Sequence, residues 1–278
     1  MMHNLSLDSD PFIRIGFFLG ILIIMAIWET AAPRRPLTDR KIVRWFNNLS
    51  LILIDSIALR FLSPITAAGT AMFVESHNWG LLNNAGLPFW LTVAIGVIGL
   101  DFTVYLQHAM FHAIPAFWRL HRVHHTDLDF DTTTGIRFHP IEMFLSMIIK
   151  LAVVVVLGVS VLGVLIFEVL LNTTSLFNHG NIRLPIPMDR VLRFLVVTPD
   201  MHRVHHSVVI QDHNSNFGFN LPWWDRLLGT YRDQPEAGHK GMIIGLAQFR
   251  DPKRLTLPWL LALPFVGKNL RCTIDEPE

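Results

Sequence analysis

The apolar block at 141–177 constrains this chain more than any other stretch. It runs for 37 residues, far more than the roughly 20 that one helix needs to cross a bilayer. Gly158 and Gly163 fall near its middle, so the block reads as a tight helical hairpin or two short spans. A single tilted helix is the other reading, and it would put residues 139 and 179 on opposite sides of the membrane. Three further apolar stretches precede the block. The first, 12–32, is uncharged from Ile15 to Trp28; the second, 49–74, carries Asp55 and Arg60; the third, 87–100, continues through Asp101 toward His112. The first does not read as a signal peptide. Asp8 and Asp10 precede it, and the basic cluster Arg34, Arg35, Arg40, Lys41, Arg44 follows it. A chain that is 51% hydrophobic and 16% charged, with mean hydropathy +0.40, fits this membrane reading.

Loop charge sets the orientation. The loop 33–48 holds those five basic residues and 75–86 holds none, so 33–48 is expected in the cytoplasm. The third span then delivers residue 108 onward to the same side. If 141–177 is a hairpin, 139 and 179 both stay there. The fold expected is all-α: an integral membrane helical bundle with a cytoplasmic histidine-rich helical cap. Three segments are drawn: N-terminal spans at 1–94, a catalytic domain at 95–254 that includes the hairpin, and an interfacial tail at 255–278. The apolar run 255–266 in that tail is short and broken by Pro258 and Pro264, so it is read as lying in the interface.

The pentapeptide HRVHH is spelled at 121–125 and again at 202–206. Of the 14 histidines, eight fall in three clusters: His108 and His112; His121, His124 and His125; His202, His205 and His206. On a helix, positions i, i+3 and i+4 share a face, so each cluster aims its imidazoles one way. Neutral imidazole suits iron, zinc or copper. Eight nitrogens are too many for one tetrahedral ion; divided between two metals they give four each. Without a metal, crowded neutral rings leave donors and acceptors unsatisfied, and protonated rings repel. Asp101, Tyr105, His108 and His112 form one stripe at spacing 4, 3, 4. Asp101 and Tyr105 are therefore candidate catalytic or supporting groups, Asp101 as a second-shell acceptor or near the substrate. An interfacial Asp101 bonded to backbone is the plainer alternative. The near-neutral charge of +1 argues against nucleic acid, and the single Cys272 excludes an internal disulfide and cysteine-ligated metal clusters. No Gly-rich nucleotide loop, nucleophile elbow or HExxH is present.

HAMFH, HRVHH and the later HRVHH on a frame of apolar helices resemble the fatty acid hydroxylase / sterol desaturase superfamily of membrane-bound non-haem di-iron oxygenases. "NHGN" at 178–181, "TPDMHRVHHS" and "NSNFGFNLPWWDRLLGTYR" resemble its bacterial members. The resemblance covers roughly 95–232 and implies a further ligand, His179. Some relatives carry another histidine four residues earlier, where this chain has Ser175. His139 is read as a ligand, a group supporting a ligand or a helix-start residue before Pro140, the supporting role being favoured, and His213 as a solvated loop side chain; His3, His77 and His239 carry no argument. Asp127, Asp129, Asp131, Glu142, Asp200 and Asp212 are each read as solvated loop acids, with charge compensation at the metals as the alternative.

The resemblance implies two iron ions, O₂ as co-substrate and an external electron donor, such as a ferredoxin, a cytochrome or a reductase, since the chain has no nicotinamide or flavin motif. Arg119, Arg122, Arg137 and Arg203 are expected to offer docking points for an acidic donor or for lipid phosphate. The substrate is expected to be a lipid entering from the bilayer, and the product a hydroxylated or desaturated one. The expected location is a bacterial inner membrane with the site on the cytoplasmic face. A di-zinc hydrolase and a non-catalytic metal-binding or transport protein are the alternatives.

Overall fold

The computed structural model describes residues 10–63 and 65–266, and among these every regular element is helical. In chain order they are α1 (Asp10–Ala31), α2 (Lys41–Leu62), α3 (Ala67–Ser76), α4 (Phe89–Ala113), α5 (Pro115–His125), α6 (Pro140–Leu157), α7 (Val161–Asn178), α8 (Ile186–Leu192), α9 (Pro199–His205), α10 (Ile210–His213), α11 (Trp223–Leu227), α12 (Gly238–Gly241) and α13 (Leu257–Ala262). Cys272 and His3 lie outside the described residues.

Four stretches are long and apolar enough to cross a membrane: Lys41–Ser76, which comprises α2 and α3, and the helices α4, α6 and α7. Ile15–Ala31 of α1 adds a shorter apolar helix. The 141–177 block is a hairpin. Gly158 ends α6 in the left-handed region at φ 72°, and Ser160 caps α7 by accepting from the Gly163 amide. This turn packs so closely on Gly80 (φ 87°) that a Cβ at Gly80 would sit 2.2 Å from the Gly158 nitrogen. Two glycines at one crossing are therefore a steric requirement. Gly96 and Gly99 do similar work along α4, where added Cβ atoms would meet Val159 and Leu157 at 2.9 and 2.7 Å. Close approach of small residues supplies the packing that hydrophobic burial cannot supply between helices in lipid. Leu100, Val154, Val164 and Phe167 fill the core behind these contacts.

The hairpin returns the chain to its starting side. Ser175 Oγ at the end of α7 donates to the Gly135 carbonyl just before α6, 2.8 Å away. Both HRVHH segments consequently lie at one end of the bundle, as the chemistry required.

Polar side chains of α1 and α2 clamp that end. Glu29 Oε1 accepts from the Thr132 and Asn181 amides at 2.6 and 2.8 Å. Arg44 donates to Asp127 at 2.6 and 2.8 Å and to Asp131 at 2.7 Å. Burial alone would raise the Asp127 carboxyl, but the Arg44 and Arg137 guanidiniums outweigh it and hold it well below the ordinary carboxylate range. The loop acids are thus not solvated: Asp127, Asp129, Asp131, Glu142 and Asp212 are all buried, and Asp200 bonds Arg34 and Arg203. Asp127, Asp129 and Asp131 are covered by α2 and the 33–41 loop, Glu142 bonds His121, and Asp212 pairs with Arg232. The run at 255–266 also packs inward, with Leu260 and Leu263 buried against Leu51 and Val123, while Trp259 and Phe265 stay exposed.

Candidate metal centre

Each histidine reaches the centre by a local rule. On α4, His108 and His112 lie one turn apart. Pro115 sits at the first turn of α5 and restarts the helix directly after Ile114, which turns His121, His124 and His125 back toward α4. Thr198 caps α9 through the Met201 amide and brings His202 and His205 in from the opposite side. His179 is the C-cap of α7.

The nine predicted ligands converge in two groups, each with nitrogens lying within 4.8 Å of one another. One holds His108, His112, His121, His125 and His205; the other holds His124, His179, His202 and His206. All nine are buried. Nε2 of His125 lies 3.1 Å from Nε2 of His112 and 3.2 Å from Nε2 of His121; Nε2 of His179 lies 3.2 and 3.1 Å from those of His124 and His202.

The outward ring nitrogens fix the tautomers. Nδ1–H of His108 donates to the Phe217 carbonyl (2.8 Å), His179 to Ser175 (2.8 Å) and His205 to Ser215 (2.7 Å). His121 Nδ1 bonds Glu142 Oε1 at 2.6 Å. In each case the Nε2 lone pair is left pointing inward, the arrangement by which proteins orient imidazole ligands. Nε2 of His108 and of His205 is buried with no hydrogen-bond partner. Burial pushes the imidazoles of His121, His124, His125, His202, His205 and His206 well below the usual histidine range and that of His179 down to about 3, with repulsion from neighbouring rings adding to the effect in the first six. Neutral, desolvated lone pairs aimed at two common points are what two divalent ions need. The donor set fits a pair of metal ions.

Several expectations are corrected. His213 is not solvated. It is buried, with its ring centroid 4.3 Å from that of His125 and 4.8 Å from that of His112, outside both groups. The short α10 folds it back behind the first group, and only a hydrophilic "QDHN" context marked it as a loop. His139 caps α6: its Nδ1 accepts from the Ile141 amide and its Nε2 donates to the Leu261 carbonyl, each at 3.2 Å. It orients helix and tail, not an imidazole. Asp101 accepts from Trp224 Nε1 at 2.7 Å and Tyr105 bonds Thr230 at 2.9 Å, so both tie α4 to the segment around α11. The buried arginines are internal braces, not docking points: Arg122 reaches the Leu263 and Val266 carbonyls, Arg137 the Val123 carbonyl and Asn48, and Arg203 the Gly180 carbonyl and Asp200. Arg119 donates to the Pro264 carbonyl at 2.6 Å. Sequence reasoning gave no role to Ser215 and Phe217, whose carbonyls hold His205 and His108. A backbone acceptor leaves no residue-type signal.

A largely apolar cavity of about 160 Å³ opens on the centre. His108, His121 and Ser175 line its metal end, and Leu100, Lys150 and Phe167 line its far end, between α4, α6 and α7.

The fold and site together define an integral membrane protein with a buried polyhistidine centre beside a largely apolar cavity. Residues 93–230 match the fatty acid hydroxylase family, and the chain belongs to that family of oxygen-dependent oxidoreductases. It is 26% identical to the ornithine lipid hydroxylase OlsE of Rhizobium tropici over 83% of this chain and 73% of that protein. It is 29% identical to the alkylglycerol monooxygenase of Xenopus tropicalis over 53% of this chain and 31% of that protein, and 27% identical to the human alkylglycerol monooxygenase over 54% and 32%. The match thus spans about a third of the length of these two monooxygenases. No solved structure matches.

Proposed function

We propose that this chain is a di-iron lipid hydroxylase. It inserts one atom of O₂ into a C–H bond of a membrane lipid and takes two electrons from a separate donor protein. The observation that carries the reading is the pair of all-imidazole groups, the first of which lines, through His108 and His121, an apolar cavity between membrane-spanning helices. The balance is RH + O₂ + 2e⁻ + 2H⁺ → ROH + H₂O. Two irons, bound by the two groups, supply the O₂ reduction and the C–H oxidant.

The chain's own residues do the rest. Leu100, Val104, Phe111 and Phe167 give the cavity a hydrocarbon wall that admits an alkyl chain and excludes bulk water. Glu142 fixes the ring of His121 and thereby its lone pair. Ser175 stands where a fifth imidazole of the second group would come from, one turn before His179, and its hydroxyl is turned away to the Gly135 carbonyl. The second group therefore has four imidazoles to the first group's five, and an ion held there would carry one protein ligand fewer. Hydroxylation is preferred to desaturation because the relatives are named for a lipid hydroxylase and a monooxygenase, and a polar membrane lipid is the substrate class their names favour. The basic loop 33–48 supports a centre on the cytoplasmic face, and a bacterial inner membrane is the proposed location.

The test is isotopic. Membranes containing the chain, given reductant and ¹⁸O₂, should yield a lipid with one ¹⁸O absent from a His205→Ala control. Lipid products labelled only from H₂¹⁸O would instead mark a hydrolase with two zinc ions.

A further inference from the structure

We propose that α8, the turn that follows it, and α11 form a wedge seated in the bilayer leaflet at the histidine end of the spans. These segments belong to the lobe after α7, where no helix among the described residues has the length of a span. Yet their outward faces are apolar. Ile186 and Val191 of α8, Phe194 and Leu195 of the turn, and Leu227 and Leu228 at α11 are all exposed, Leu227 by 73%. Singly exposed apolar residues are ordinary, but a contiguous patch from two segments is not.

Several polar side chains of the same segments bond within the protein. Trp223 Nε1 donates to the Phe194 carbonyl at 2.7 Å, Arg226 Nη2 to the Arg193 carbonyl at 3.2 Å, and buried Arg193 pairs with Asp189. Inward-bonded polar groups beneath an apolar exterior suit a face turned to hydrocarbon.

The depth comes from α4. Trp224 Nε1 is held 2.7 Å from Asp101, and its ring lies 4.7 Å from that of Phe102. Asp101 precedes His108 by seven residues, about 10 Å along the helix axis. A span of roughly 20 residues counted from Phe89 ends near His108, so Trp224 sits about 10 Å inside the hydrocarbon boundary. On α4, Leu106 lies one turn beyond Phe102, which touches Trp224, and is exposed as well. Arg183 and Arg190 are exposed beside the patch and suit the anionic headgroups of a leaflet. The occupant is the bilayer itself.

The wedge also bears on the metal centre. Asp225 of α11 accepts from the Phe217 and Gly218 amides at 2.8 and 2.9 Å, and the Phe217 carbonyl takes the Nδ1 proton of His108. Seating α11 in lipid therefore fixes the segment that orients a ligand. The inference stands on the reading of α4 as a span and not on the proposed reaction.

Spin labels test it. In a Cys272→Ser background, Val191→Cys and Leu227→Cys are labelled in nanodiscs of phosphatidylcholine and phosphatidylglycerol. Leu106→Cys serves as the lipid reference and Lys253→Cys as the water reference. Power saturation should show O₂ accessibility exceeding that to an aqueous nickel chelate at 191 and 227, as at 106. Nickel accessibility equal to that at 253 would place the patch in water and overturn the proposal. Low accessibility to both reagents would overturn it too, because a second copy or another protein would then cover the face.

Discussion

The two HRVHH segments share five letters and lie 81 residues apart, yet they serve the two groups in opposite proportions. In the first segment His121 and His125 enter the five-membered group and His124 crosses to the other. In the second, His202 and His206 enter the four-membered group and His205 crosses. The rule is the same in both. The i, i+4 pair stays together and the i+3 ring reaches across, because i and i+4 lie nearly in line on a helix and i+3 is rotated to the other side. A repeated pentapeptide thus builds a near-symmetric cage without a duplicated domain. The valines at its centre, Val123 and Val204, are both fully buried and anchor each segment. The symmetry breaks at the third contributor: His108 and His112 complete the first group, whereas Ser175 and His179 stand in the equivalent i, i+4 relation for the second.

The largest effects should come from the ligands. His125→Ala removes a member of the first group and His206→Ala one of the second. Each should lower hydroxylation by at least about 100-fold, beyond the 10- to 100-fold that loss of a supporting partner costs. Metal analysis should show each variant losing about one ion per chain. Loss of both ions in one variant and neither in the other would break the symmetry argument.

Next is Gly135→Ala. Its Cβ would sit 2.5 Å from the Ser175 carbonyl oxygen and 3.0 Å from His179 Nδ1. The substitution should displace His179 and lower metal occupancy of the second group, read by titration with iron, and leave the first group loaded. Ser175→His sharpens the same contrast. A fifth imidazole should tighten metal binding in the second group, read by titration with iron; unchanged affinity would show that position 175 does not reach that group.

The arginines separate the segments by stability. Arg203 bridges Asp200 and the Gly180 carbonyl, whereas Arg122 donates to the Leu263 and Val266 carbonyls and lies over the Phe249 ring, with no acid among its partners in the described residues. Arg203→Met breaks a buried ion pair and should cost about 3–5 kcal/mol, against about 1–3 kcal/mol for Arg122→Met, compared by thermal melts in detergent.

The pH response is shared by both groups and smaller still near neutrality. Folding holds the imidazoles neutral, with pKa values depressed below their unfolded value of about 6.5, in His179 to about 3. The unfolded chain therefore binds more protons below pH 6.5 or so. The metal-free protein should be at full stability above that value and lose it progressively as pH falls toward 3, as melting temperature against pH would show. A flat profile would mean that the rings are not desolvated.

Much of this centre was legible in sequence because helical spacing alone puts i, i+3 and i+4 together and because imidazole is a specific ligand type. The hairpin was legible from 37 apolar residues with two glycines. What the sequence hid depends on remote packing. Asp127 and Asp131 follow a histidine box and look like loop acids until Arg44 of α2 covers them. Arg122, Arg137 and Arg203 look like surface charge until carbonyls from distant segments surround them. His213 differs from a solvated histidine only through a four-residue helix that folds it beneath Trp118, ring centroids 5.0 Å apart. Asp101 shares its helix stripe with His108, but its partner, Trp224, lies 123 residues away.

The most direct measurement is the metal content of the protein purified without oxygen. Two irons per chain, with O₂ taken up once reductant is added, is the expected result. Zinc in place of iron without O₂ uptake, or less than one metal per chain in a folded sample, would contradict a paired redox centre built from these nine rings.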